Sequence, residues 1–164
     1  MIVSLTFNME VIVFEIESND EIFQLVDKKF EHFFIHKFNP QDTVEWNKAD
    51  LKILGLDLIN TSVRKMEFDV LTDFEGLKKI IAFNTNQLKI YQFNKPIPDT
   101  LLLESLPESS RKKILLQNGF QHSFFIDFEF VTIESADQEY LQSIRKSPVF
   151  SKRIEDMKIK FHTK

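Results

Sequence analysis

Three stretches of this sequence repeat with a period of two, apolar on one side of the repeat and carrying carboxylates on the other. Over 11–17, Ile12, Phe14 and Ile16 alternate with Val11, Val13, Glu15 and Glu17. Over 64–71, Met66, Phe68 and Val70 alternate with Lys65, Glu67, Asp69 and Leu71. Over 120–134, Phe124, Ile126, Phe128 and Phe130 alternate with Phe125, Asp127, Glu129, Val131 and Ile133. Successive side chains of a strand point to opposite faces, so segments of this kind bury one face and solvate the other. A chain built from them needs a sheet and a layer that covers its apolar side.

Helical spacing supplies that layer. Ser18-Asn19-Asp20-Glu21 has the form of a capping box, and it predicts a helix to about Lys37 with Ile22, Phe23, Val26, Phe30, Phe33 and Phe34 as its buried stripe. Further helices are predicted over 74–83, from the second box Ser105-Leu106-Pro107-Glu108 to Gly119, and over 136–146 and 149–156. Shorter alternations predict strands at 2–7, 87–93 and 157–162. Asn39-Pro40 and Gly55 break up 39–62, which reads as a short helix with an irregular exit. The sum is an α+β fold. One domain spans 1–164, with a mixed or antiparallel sheet of about six strands and helices packed on one face. Phe14, Phe30, Phe33, Phe68, Phe128 and Phe130 are expected in one core.

Several chemistries are excluded. The three glycines, Gly55, Gly76 and Gly119, are too scattered for a phosphate-cradling loop or a dinucleotide fingerprint. There is no Gly-x-Ser-x-Gly elbow, and without Cys neither thiol catalysis nor a zinc-thiolate site exists. His32 and His36 have the i, i+4 spacing of a metal pair on a helix, but Lys28 and Lys29 stand beside them and oppose a cation. His122 and His162 have no third ligand at a recognisable spacing. Asp/Glu-x-Lys triplets of the nuclease type occur three times (Asp27-Lys28-Lys29, Asp50-Leu51-Lys52 and Asp156-Met157-Lys158), and composition alone predicts about 2.6, so they carry no signal. Carboxylates two apart on a strand stand about 6.6 Å apart, the range of an inverting glycosidase pair, yet Trp46 is the single Trp available for a sugar platform. No catalytic residue, metal or cofactor is expected.

The chain carries 21 Lys+Arg against 25 Asp+Glu, a formal charge of −4, and only 4 of the bases are Arg. Phosphate-tracking proteins have a basic excess rich in Arg, so a nucleic-acid partner is not expected. No apolar run approaches the length of a membrane span. The first ten residues lack the basic start of a signal peptide, which predicts a cytoplasmic protein. Phe is abundant at 18 and Gly rare at 3, the bias of an AT-rich gene, which points to bacterial or mobile DNA.

If the three alternating strands share a sheet, Glu15, Glu17, Glu67, Asp69, Asp127 and Glu129 collect on its outer face, with Val11, Val13, Phe125, Val131 and Ile133 as apolar anchors among them. The plain reading is a solvated face with cross-strand ion pairs worth a few tenths of a kcal/mol. The sharper reading is a docking surface for a basic protein. The expected function is accordingly that of a non-catalytic acidic binding protein, in its most concrete form an immunity-type inhibitor of a basic toxin or nuclease domain. The alternatives are a hydrolase or nuclease using dispersed carboxylates with His32 or His122, and an assembly subunit with an apolar partner face.

Overall fold

In the computed structural model, seven strands form one sheet: β1 (Glu10–Glu15), β2 (His32–Phe38), β3 (Asp57–Asn60), β4 (Phe68–Thr72), β5 (Gln87–Phe93), β6 (His122–Asp127) and β7 (Phe130–Ser135). The structure describes residues 9–38, 57–60, 68–83, 85–96 and 119–162, with positions 110, 113–115 and 117 between them. The strand order is β1-β7-β6-β5-β2-β4-β3, and every neighbouring pair is antiparallel. The first strand pairs with the last, from Glu10 opposite Ser135 to Glu15 opposite Phe130. This side of the sheet therefore closes only when distant parts of the chain meet. The helices with described bounds are α1 (Ile22–Leu25), entered through a 3₁₀ turn at Asn19–Glu21, then α2 (Phe74–Ile81), α3 (Gln138–Arg145) and α4 (Ser151–His162), and residues 113–115 are helical as well. None among the described residues is long and apolar enough to cross a membrane.

The fold class is the α+β one expected. The main core lies between one sheet face and the helices: Ile12, Phe14, Phe33, Ile35, Ile90, Phe124, Ile126, Val131 and Ile133 from strands meet Ile22, Leu25, Leu77, Ile80, Leu141, Ile144 and Ile154. On the other face Phe34, Tyr91, Phe93 and Leu115 form a smaller cluster, with Leu71, Ile114 and Phe120 against it. Asp73 and Asp137 cap α2 and α3, their carboxylates accepting from the backbone N–H groups of Gly76 at 3.0 Å and Tyr140 at 3.1 Å. Edge strand β1 is held to α3 by Glu10, which accepts from Arg145 at 2.8 Å and from Gln138 at 3.0 Å. The Arg145 bond, helped by Gln138, holds the Glu10 carboxyl below its usual range.

Four predicted elements are corrected. The helix over 18–37 stops at Leu25, and the chain re-enters the sheet as β2. Ser18 caps the turn as expected, but it accepts from Asp20 N–H, while Glu21 turns to Arg153. β2 buries both faces, Phe33 and Ile35 in the main core and Phe34 in the smaller one, so its sequence shows no alternation and fits helical spacing equally well. The single strand over 120–134 is the hairpin β6–β7, turning at Phe128-Glu129. Nothing in those two residues resembles the Asn-Gly or Gly-containing pairs that announce such turns. Third, 157–162 continues α4, with Ile154 and Met157 buried one turn apart. Fourth, residues 57–60 within the irregular region form β3. The predicted strand at 2–7, the box at Ser105 and the side chain of Phe68 lie outside the described residues.

Candidate functional site

The β6–β7 turn changes the parity of everything after it. Asp127 pairs with Phe130, so these two share the outer face, and Val131 and Ile133 turn inward to the core at 0% exposure. Val131 and Ile133 are thus core residues rather than outer anchors. Phe14 and Phe33 are buried as expected, while Phe30 and Phe130 are half-buried. Phe128 is not in the core: it is 62% exposed, at the tip of the turn.

Four of the six expected partner-binding acids surround that tip. Asp127 and Glu129 flank Phe128 directly. Glu15 lies opposite Phe130 in the register, and the Ile16 N–H donates to the Glu129 carbonyl at 2.7 Å, which brings Glu17 alongside. A groove of about 220 Å³ runs between Glu17, Asn19, Asn86, Phe128 and Glu129. A second, of about 530 Å³, lies between Glu15, Glu17, Arg153 and Asp156. Arg153 lines the second groove. It donates to Glu21, lies 3.5 Å from Glu17 and covers the Phe150 ring. The bond to Glu21 raises its pKa. Asp127 accepts from Gln87 at 3.1 Å. Glu67 lies outside the described residues. Asp69 does not belong to the group: it is fully buried in β4, 2.9 Å from His36 Nδ1. Its alternation is real, but Phe34, Leu71 and their cluster cover that half of the outer face.

Phe128 has φ +57, a conformation that L residues with a Cβ adopt at a cost of roughly 1–2 kcal/mol. Its N–H donates to the Asn86 carbonyl at 2.6 Å, which holds the turn. A strained backbone that presents an aromatic ring to solvent between two acids is not what stability alone selects. Phe128→Gly should leave stability unchanged or raise it by up to about 1 kcal/mol, read from urea denaturation midpoints. A loss of more than about 1 kcal/mol would show that the ring supports the fold.

At the opposite end of β6 is a polar cluster that the sequence does not announce. His122 is fully buried. Its Nδ1 lies 2.8 Å from Ser135 Oγ and its Nε2 lies 3.2 Å from Asp27 Oδ2. The Tyr140 ring stacks on the imidazole at 3.8 Å, and the Tyr140 hydroxyl donates to the Leu25 carbonyl. Burial pushes the Tyr140 phenol pKa up. It pulls the His122 pKa down, against the bond and charge of Asp27 and the charge of Asp137. Gln92, also fully buried, clamps the loop that carries Asp27. Its side chain accepts from Asp27 N–H at 3.0 Å and donates to the carbonyls of Asp27, at 2.5 Å, and Phe30, at 2.9 Å. Asp27, His122 and Ser135 are in the order of an acyl-transfer triad, but Ser135 has 0% exposure, so its Oγ has no access to a substrate in this state. The helical i, i+4 spacing of His32 and His36 does not exist in the fold: both sit on a strand, where four residues span about 13 Å, too far to share an ion.

Comparison of the chain with protein-family models, with curated proteins and with solved structures found no match.

Proposed function

We propose that the chain is a non-catalytic binding protein that docks a basic protein surface at the β6–β7 end of its sheet, in the manner of an immunity-type inhibitor acting in the cytoplasm. The observation that carries this reading is Phe128, exposed on a strained turn between Asp127 and Glu129 with Glu15 and Glu17 beside it. An aromatic ring among like charges has the form of an interface anchor: the ring supplies buried area on binding, and the acids steer a cationic partner and set its orientation. The partner is a basic domain such as a toxin nuclease. Occlusion of that domain requires no chemistry from the inhibitor.

The test uses the protein encoded beside this gene, since an immunity gene lies next to its toxin. Association should slow as salt rises, because the screening length falls from about 10 Å at 0.1 M to about 3 Å at 1 M. Reversing both acids, Asp127→Lys with Glu129→Lys, should slow association at least tenfold at low salt and leave the far-ultraviolet circular dichroism unchanged. A folded double variant that binds with unaltered rate and affinity defeats the proposal. A hydrolase reading rests on the Asp27–His122–Ser135 order alone, and activity abolished by Ser135→Ala in a folded variant would favour it. An assembly subunit rests on the open outer face, where Val11 and Phe125 are 54% and 36% exposed. Self-association lost on Phe125→Ser would favour that reading.

A further inference from the structure

Ser135 has one hydroxyl proton and three polar neighbours. Its Oγ accepts from the Asp137 N–H at 3.0 Å, donates to the Gln121 carbonyl at 3.2 Å and meets His122 Nδ1 at 2.8 Å. With the hydroxyl proton directed at Gln121, the third contact is a hydrogen bond only if Nδ1 carries the ring proton. Nε2 of a neutral ring is then a bare lone pair, and the atom 3.2 Å away is a carboxylate oxygen of Asp27, which only accepts. Two acceptors facing each other at a ring with no solvent exposure are joined by a positive charge between them, either a second ring proton that makes His122 an imidazolium donating to Asp27 or a metal ion that takes its place. Asp137 adds a second carboxylate. One ligand atom from each of Asp27, His122 and Asp137 lies within 4.8 Å of the others.

We propose that Asp27, His122 and Asp137 form a binding site for one first-row divalent cation of the zinc type, held by His122 Nε2 and the two carboxylates. A nitrogen with two oxygens is a donor set that zinc accepts. Ligand atoms bonded tetrahedrally at zinc distances stand about 3.3 Å apart, close to the 3.2 Å between Nε2 and Asp27 Oδ2. The outer shell is already built. The second ring nitrogen of His122 is committed to Ser135, as a metal-bound imidazole requires, and the Asp27 loop is fixed by Gln92. Among the charges that act on His122 are the two carboxylates, which favour a cation, and the Lys29 ammonium, which opposes one. The site is at the far end of β6 from Phe128 and does not depend on the docking reading.

The test is calorimetric titration of the full chain, freed of metal with a chelator, with zinc chloride and separately with magnesium chloride. Zinc should bind one to one in the micromolar range or tighter and raise the melting temperature. Magnesium, which prefers all-oxygen hydrated sites, should give no stoichiometric heat. Asp137→Asn keeps the oxygen that caps α3, and Asp27→Asn keeps the oxygen that accepts from the Lys29 N–H, so both should fold. Each should weaken zinc at least tenfold. Absence of one-to-one zinc binding by the wild-type chain overturns the proposal. So does zinc binding that survives both substitutions, or that is lost instead on His36→Ala. Should one variant fail to fold, the other decides by the same criterion.

Discussion

Phe14→Ala is expected to lower the unfolding free energy by about 3–5 kcal/mol. Phe14 is fully buried near the end of β1, opposite Val131 in the register, and its ring lies 5.2 Å from that of Phe150 at the entry to α4. Removal of the ring forfeits its transfer free energy and opens a cavity. The sheet on one side and α4 on the other are both anchored elsewhere, so that cavity cannot collapse. Phe128→Ala supplies the control within the same sheet: the residue type is identical, but the ring is mostly in water, and the loss should be below about 1 kcal/mol. Urea denaturation of both variants measures the contrast. Equal losses would show that exposure does not rank these two positions and that the β6–β7 turn is wrongly placed.

Gln92→Leu should cost about 3 kcal/mol or more through a different mechanism. Leucine nearly conserves volume, so no large cavity forms. What disappears is the acceptor for the Asp27 N–H and the donor for the Asp27 and Phe30 carbonyls, all met by one side chain with no solvent exposure. Each buried polar group left without a partner costs about 1–3 kcal/mol. The loop over 26–31 has no regular structure to compensate, because α1 ends at Leu25 and β2 begins at His32. Amide exchange of Asp27 should accelerate in step with the stability loss. A Gln92→Leu variant within about 1 kcal/mol of the wild type would mean that the loop rehydrates in place.

The two results separate what periodicity reports from what it cannot. Alternation marks burial on one face only. It identifies β1, where Ile12 and Phe14 face the core and Val11 and Glu15 do not, and it places β5 over 87–93, with α2 following its own helical stripe. Gly119, predicted to end a helix in the left-handed region, has φ +66. β2 escapes the same reading because neighbours press on both its faces and the pattern becomes a continuous apolar run. The β6–β7 turn escapes it because Phe128 occupies a conformation that its own chemistry disfavours.

The candidate docking end was half legible. Glu15, Glu17, Asp127 and Glu129 are visible as carboxylates on strand-like segments, but only the strand order β1-β7-β6 gathers them around one aromatic ring. The same order excludes Asp69, which lies across the sheet in β4 with His36. The polar cluster was not legible at all. Asp27 and His122 are 95 residues apart, and no local rule relates a loop residue to the first residue of a distant strand. By itself, the sequence determined the fold class, the inward face of β1 and the excess of acid over base, because these depend on composition and on neighbours within a turn or two. The tertiary structure alone decided which face each residue after the hairpin occupies, which acids share water and which are buried, and which side chains meet around His122. Those depend on register and strand order, which are set by contacts between segments the chain itself keeps far apart.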